Sequence, residues 1–303
     1  MKISQENIIE YYLNFRKQHY MSLLNKDMTI KKQNEIKKHY LKVFKNKENY
    51  YNCVVENGKI QSFINAGKDD ELGEINIYME IIYEEKYMND VILNKEIIKV
   101  IDFYRDKIKF NKLNIRTYDS QKILQKILNQ LGCDFNGHHY FGFVKDALKY
   151  YKSKKMSDSE IISTAKLKDS NKIIKLTKIS HAADKTCRLR KFTSKQLKTL
   201  KEMLIKEIKN KSVFLINRQN DLIGFIWLLH VGKNEYLIGS IAVHPEYWGK
   251  GLANILYNHA FNFMKNNGIR KYYGISSTKS VIKLAEKLNR KIHNSVYNLS
   301  VKL

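Results

Sequence analysis

Residues 238–253 read Ile-Gly-Ser-Ile-Ala-Val-His-Pro-Glu-Tyr-Trp-Gly-Lys-Gly-Leu-Ala, and the stretch changes character halfway along. It opens as an apolar run with the length of a buried strand. Pro245, the only proline in the chain, has no N–H to give to a ladder and breaks the strand. Gly249 and Gly251 follow, and from Leu252 an amphipathic helix runs to Asn266, where Asn267-Gly268 supplies a stop. A strand that turns through Gly-x-Gly into a helix lets backbone N–H groups converge without side-chain obstruction, at the positive end of the helix dipole. A pyrophosphate fits such a turn. The turn is not the dinucleotide fingerprint, because Leu252, Ala253 and Asn254 put no third small residue at the required offset, and the chain has no GxxxxGK[ST] of a P-loop.

Working outward, Tyr236–Val243 is the strand that feeds this turn, and a hairpin of Val213–Asn217 and Leu222–Val231 about Asn220-Asp221 precedes it. Before that come a short strand at Ile161–Ala165, a helix from Leu167 capped by Asp169 or Ser170, and a helix to Ile208 capped by Thr193 or Ser194. After it come a strand Lys271–Ile275, a helix Lys279–Leu288 and a strand Ser295–Val301. The first 150 residues repeat this order. Two helices lead to a hairpin at Asn57-Gly58, a strand Glu74–Tyr83, a helix from Asp90, a strand Leu113–Tyr118, a helix Gln121–Leu131 and a strand His138–Val144. The expectation is an internal duplication, with domains at 1–150 and 160–303 joined by the polar stretch Lys149–Ser159.

Length and composition agree with two globular domains: 303 residues, 43% hydrophobic and 28% charged. No apolar run approaches the roughly 18 residues of a membrane span, and the amino end lacks the pattern of a signal peptide, so a cytoplasmic protein without membrane attachment is expected. Cys53, Cys133 and Cys187 are too few and too scattered for a disulfide framework or a zinc ribbon, and no metal is expected. The net charge of +25 invites a polyanion. Yet 47 of the 55 basic residues are Lys and only 8 are Arg, the mark of an AT-rich coding bias. The bias is uneven in effect, since residues 1–150 carry 25 basic and 20 acidic side chains and 151–303 carry 30 and 10. No nucleic-acid motif accompanies the basic half, so nucleic acid is not an expected partner.

The string Val243-His-Pro-Glu-Tyr-Trp-Gly-Lys-Gly-Leu-Ala253 closely resembles the acyl-coenzyme A loop of the GNAT superfamily of N-acetyltransferases, and the order of elements from about 160 to 303 resembles that family's fold. The resemblance implies an α/β fold of two tandem GNAT-like domains, each a mostly antiparallel twisted sheet flanked by helices. It implies acetyl-coenzyme A as cosubstrate and transfer of its acetyl group to a primary amine, on a small molecule or a peptide, by direct attack in a ternary complex. Ile241, Ala242 and Val243 would offer backbone groups to the pantetheine arm. The amides of Trp248, Gly249, Lys250, Gly251, Leu252 and Ala253 would hold the pyrophosphate. Trp248 departs from the Arg or Gln that the family prefers there.

Transfer to an amine needs a base for the amine and an acid for the leaving thiolate. The family's usual acid is a Tyr on the late helix, and the matching run Thr278-Lys-Ser-Val-Ile-Lys-Leu-Ala-Glu-Lys-Leu-Asn-Arg290 puts Ala285 in its place. Tyr273, Ser276 or Ser277 would substitute as acid, and Glu235 is the candidate base. The first half has no such loop: Glu84-Glu-Lys-Tyr-Met-Asn-Asp90 lacks glycine and brings three carboxylates. It reads as a degenerate copy without cofactor binding. With the usual acid missing, a catalytically weak acyl-coenzyme A-binding or regulatory module is the alternative.

Overall fold

A computed structural model describes residues 4–24, 27–71, 74–84, 87–151, 161–185, 191–219, 221–232, 235–276 and 278–301. Its first half runs α1 (Gln5–Leu24), α2 (Ile30–Lys45), β1 (Tyr50–Glu56), β2 (Lys59–Glu71), β3 (Glu74–Tyr83), α3 (Asp90–Arg105), β4 (Lys112–Thr117), α4 (Lys122–Gln130) and β5 (Asp134–Phe143). Then come α5 (Val144–Tyr151) and β6 (Ile161–Thr164). The second half runs α6 (Ser170–Ala183), α7 (Ser194–Lys209), β7 (Val213–Arg218), β8 (Asp221–Gly232), β9 (Glu235–Val243), α8 (Leu252–Asn266), β10 (Lys271–Ser276), α9 (Lys279–Lys287) and β11 (Lys291–Ser300).

Local chemistry accounts for several of these boundaries. Asn57 and Gly58, at φ 50° and 74°, make the hairpin turn between β1 and β2 that the Asn-Gly pair favours. Of the two caps open for α7, Thr193 is the one used. Its side chain accepts from Gln196 N, and Gln196 Oε1 accepts from Thr193 N at 2.9 Å, a capping box. Asp169 instead accepts from Lys166 N at 2.8 Å, closing a short 3₁₀ turn ahead of α6.

The order α-α-β-β-β-α-β-α-β occurs twice, from α1 to β5 and from α6 to β11, and the pairing repeats with it. In each copy a hairpin is antiparallel, β1 with β2 and β7 with β8. In each, the third strand lies parallel to the fourth over four rungs, β3 with β4 and β9 with β10. The duplication expected from the sequence is thus present as topology. The compact units do not follow the halves of the chain, however. One comprises Met1–Glu71, Ile75–Asn136 and His293–Leu303, the other Leu72–Glu74 and Gly137–Ile292. In the first the strand order is β1-β2-β3-β4-β11, and in the second β5-β10-β9-β8-β7-β6. Each copy's last strand therefore completes the other unit, β11 antiparallel to β4 and β5 antiparallel to β10.

This corrects the boundary expected at 150–160. Val144, Ala147 and Tyr151 of α5 are buried with Tyr257 and Phe261 of α8 and Tyr272 of β10, so β5 and α5 belong to the unit of the second copy. The stretch expected as a linker begins inside α5, and residues 152–159 lie outside the described residues. Both sheets carry helices on two faces. In the first unit α1 and α2 pack about Phe63, and α3 and α4 about Ile77 and Leu113. In the second, α6 and α7 pack about Phe225 and Trp227, and α5 and α8 about Ile226 and Tyr272. Among the described residues no helix is long and apolar enough to cross a membrane.

Two predictions follow from this packing. Fragments 1–155 and 156–303, expressed separately, each lack a strand that their sheet needs and are expected to unfold without cooperativity in urea; a sharp two-state transition in either would contradict the strand exchange. The second concerns His19 on α1, which is 4% exposed, with Nε2 3.0 Å from the His293 carbonyl and Nδ1 without a partner. Burial, and next Arg16, push its pKa down to about 4. The folded value lies below the ordinary one near 6.5, so this contribution to stability is complete above that pH and is lost as pH falls toward 4, by up to about 3 kcal/mol. The melting temperature of the wild type is expected to fall more steeply than that of His19→Gln between pH 6.5 and 4.5; parallel curves would contradict this.

Candidate functional site

β9 pairs with β10 from Glu235↔Lys271 to Ile238↔Gly274 and no further, although β8 stays paired with β9 as far as Gly224↔Val243. The cause is one residue. Trp227 faces Ser240 and Leu228 faces Ile238, which leaves Gly239 as an extra residue, a β-bulge that bends the strand. Only glycine fits, because a Cβ there would stand 2.3 Å from Trp227 Nε1. β10 meanwhile follows β5 to Ser276↔His138. The two parallel strands part, and 239–243 are left without a ladder partner on one edge. A cavity of about 220 Å³ opens there, walled by 238–241 of β9, 274–276 of β10, Ser180 and His181 of α6 with Asp184 that caps it, and Tyr257 and Arg290.

Past Val243 the chain makes a 3₁₀ turn, Pro245–Tyr247, and reaches α8 through Gly249 and Gly251 at φ 78° and 85°. Both values lie in the left-handed region, where a side chain costs roughly 1–2 kcal/mol. Gly251 caps α8 without any side-chain hydrogen bond. Of the six amides expected to face a pyrophosphate, two are engaged: Trp248 N donates to Pro245 O at 3.1 Å and Lys250 N to Tyr247 O at 3.4 Å. Those of Gly249, Gly251, Leu252 and Ala253 donate to no acceptor among the described residues. They form a cluster of donors at a helix amino terminus, with open space where glycine side chains would stand.

Trp248, the departure from the family's loop, has a structural task. Its Nε1 donates to Val243 O at 2.7 Å, tying the loop to the end of β9. Lys250 Nζ lies 4.7 Å from the centre of the Tyr247 ring, a cation–π contact rather than a free surface lysine. Ala242 and Val243 bury their side chains in opposite cores, and Ile241 packs partly against the second, so β9 offers backbone alone to its free edge.

The expected catalytic residues are not gathered at this site. Glu235 stands at the first rung, about 10 Å along the strand from the last, and does not line the cavity. Tyr273 sits between Leu237 and Phe141 and does not line it either. Ser276 does, 3% exposed, with Oγ 3.4 Å from Thr278 O. Ser277 lies outside the described residues. Ala285 is fully buried and offers no proton donor. Among the described residues no group of three or more His, Cys, Asp or Glu side chains is placed to hold a metal ion.

Arg290 was not among the expected residues. α9 ends in a Schellman arrangement, with Asn289 at φ 51°, its N–H on Glu286 O, and Arg290 N on Ala285 O at 2.9 Å, which turns residue 290 back over the sheet. The guanidinium is flanked by the rings of Tyr257 and Tyr272, at 5.6 and 5.0 Å, and Nε donates to Tyr272 Oη at 3.1 Å. Glycine at 274 makes the room, since a Cβ there would stand 3.2 Å from Arg290 Nη1. Burial works against its charge, and the Tyr272 and Tyr257 hydroxyls outweigh burial, so its pKa is raised and the group is a cation.

The first unit handles the same place differently. Its last parallel rung is Glu80↔Arg116, and Glu80, 4% exposed, accepts from Tyr12, Tyr40 and Tyr118 with Arg16 4.0 Å away. At its helix amino terminus a side chain takes one of the amides, Asn89 Oδ1 accepting from Ile92 N at 2.9 Å, where α8 has only glycine.

Comparison with known proteins bears on both units. The model of the acetyltransferase (GNAT) family matches residues 181–289. No curated protein is significantly similar in sequence. Among solved structures, a GCN5-related N-acetyltransferase from Sphaerobacter thermophilus superposes with a TM-score of 0.64 at 10% identity, over 97% of this chain and 94% of that one. The GCN5-related glucosamine N-acetyltransferase region of a fungal multi-domain β-N-acetylglucosaminidase gives 0.53 at 13% identity, over 95% of this chain and 37% of that one. At such identities the likeness is one of fold, and it spans both halves of the chain.

The bulge can be tested directly. Gly239→Ala forces Trp227 from its seat and is expected to cost about 1–3 kcal/mol in urea unfolding. A midpoint equal to the wild type would mean that Trp227 does not hold the bulge as described.

Proposed function

We propose, from the match of residues 181–289 to the model of the acetyltransferase (GNAT) family, that this protein transfers an acetyl group from acetyl-coenzyme A to an amine held at the parting of β9 and β10. The observation that carries the proposal is the coincidence, in one unit, of four undirected amides at the start of α8 with the unpaired edge of 239–243. Gly249, Gly251, Leu252 and Ala253 bind the pyrophosphate through their N–H groups, and the free edge of Ile241–Val243 receives the amide-bearing pantetheine arm as an added strand would be received. Bound there, the cosubstrate supplies an activated thioester carbonyl.

The chain's own part is to orient the amine, keep water out and take its proton. His181 and Asp184 are the titratable groups on the α6 wall of the cavity, and they replace Glu235 as candidate bases on grounds of position. With Ala285 unable to protonate the thiolate, Ser276, which lines the cavity, is the candidate acid. In this reading the first unit is a degenerate copy: it has no Gly-x-Gly turn, Asn89 takes one amide at the helix end where a pyrophosphate would sit, and Glu80 with its tyrosines fills the ground beside the last rung. The absent tyrosine also favours a second reading, an acyl-coenzyme A-binding module without turnover.

Coenzyme A and acetyl-coenzyme A are expected to raise the melting temperature of the wild type by several degrees and to leave Gly251→Asp, whose carboxylate would meet the pyrophosphate, unshifted. Acetyl-coenzyme A with a panel of amines is expected to release free thiol, and His181→Ala to lower that rate at least tenfold. Stabilisation without thiol release selects the module; no stabilisation refutes the site.

A further inference from the structure

Arg290 is 7% exposed, and its Nη2 is buried without a hydrogen-bond partner. Among the described residues no carboxylate pairs with it; its neighbours are two tyrosines and the cavity that it lines. Burying a guanidinium is costly, and native structures offset that cost with a carboxylate or phosphate opposite the fork. Another largely buried arginine among the described residues follows that rule, since Arg16 stands by Glu80. Arg290 does not, and the end of its fork stands at the last rung of the β9–β10 ladder, where Gly274 has no side chain to cover Nη1.

We propose that Arg290 receives the carboxylate of a substrate, so that one of the two reacting molecules carries an acid group at the end that enters the parting of the strands. The inference rests on the acyl-transfer reading of the same cavity and narrows it to acidic substrates. Two sources fit one chemistry: an acyl group ending in a carboxylate, or an amine acceptor that also bears one. A planar, bidentate partner suits the guanidinium fork, and the cavity that would hold it is also lined by Ser240 and Ser276. An acetyl donor with a neutral amine would leave Nη2 still without an acceptor.

The experiment has two arms on the full chain. In the first, the dissociation constants of succinyl-coenzyme A and of butyryl-coenzyme A, close in size but neutral, are measured by calorimetry. In the second, thiol release from acetyl-coenzyme A is followed with amino acids and with their carboxamides. One arm is expected to show at least a tenfold preference for the carboxylate in the wild type. Arg290→Met should reduce it to within twofold, Arg290→Lys should retain part of it, and neither should change the affinity for coenzyme A itself. The wild-type comparison stands even where a variant fails to fold. No preference in either arm, with coenzyme A still bound, overturns the proposal, as does a preference that survives Arg290→Met. Failure of coenzyme A to bind is a separate result that removes the acyl-transfer reading along with it.

Discussion

Four rungs of parallel ladder hold β9 to β10, and the extra residue at Gly239 prevents a fifth. Backbone N–H and C=O groups buried without partners are costly, so a strand edge released inside a sheet must meet water or a ligand. The bulge therefore does two things at once. It opens a cavity between strands that would otherwise be zipped, and it leaves in the wall of that cavity a row of backbone groups suited to an extended, amide-bearing ligand. The loop that follows places four free donors in the next few residues along the chain, at the end of the helix where an anion is favoured. Trp248 fixes the two parts to one another through Val243 O.

The duplicated architecture shows how little separates an open site from a closed one. Both copies part their parallel strands after four rungs. In one, the last rung is Ile238 and Gly274, and a cavity lies beside it. In the other it is Glu80 and Arg116, and a carboxylate with three tyrosine hydroxyls occupies the neighbouring core. The exchange of β5 and β11 binds the two copies into one folding problem, since neither sheet is complete without a strand from the other half.

Much of this was legible in the sequence, for physical reasons that differ by element. The bounds of α8, Leu252–Asn266, were readable because a Gly-x-Gly start, an apolar stripe and an Asn-Gly stop all point the same way. The repeated order of elements was readable from hydrophobic period alone. The strand exchange was not, because β5 and β11 keep the same pattern whichever neighbour they pair with, and pairing across the chain leaves no local trace. The end of α5 reads as the start of the linker Lys149–Ser159 because the stretch from Lys149 on is polar and lysine-rich, while the buried residues of α5 are only Val144, Ala147 and Tyr151. The place of Glu235 at the start of β9 is legible in the sequence, whereas the register that sets it three rungs from the cavity is not. Arg290 has one faint signal: it is one of only 8 Arg in a chain that writes most of its cations as Lys.

The central claim is that the free edge of β9 and the amides before α8 form one ligand surface. Hydrogen–deuterium exchange read residue by residue, with and without coenzyme A, tests it most directly. The account predicts that the amides of Gly249, Gly251, Leu252 and Ala253 exchange rapidly in the free protein and are protected on addition of coenzyme A, together with residues 239–243, while those around Asn89 at the start of α3 do not change. Unchanged exchange at 249–253 in the presence of saturating coenzyme A would contradict it.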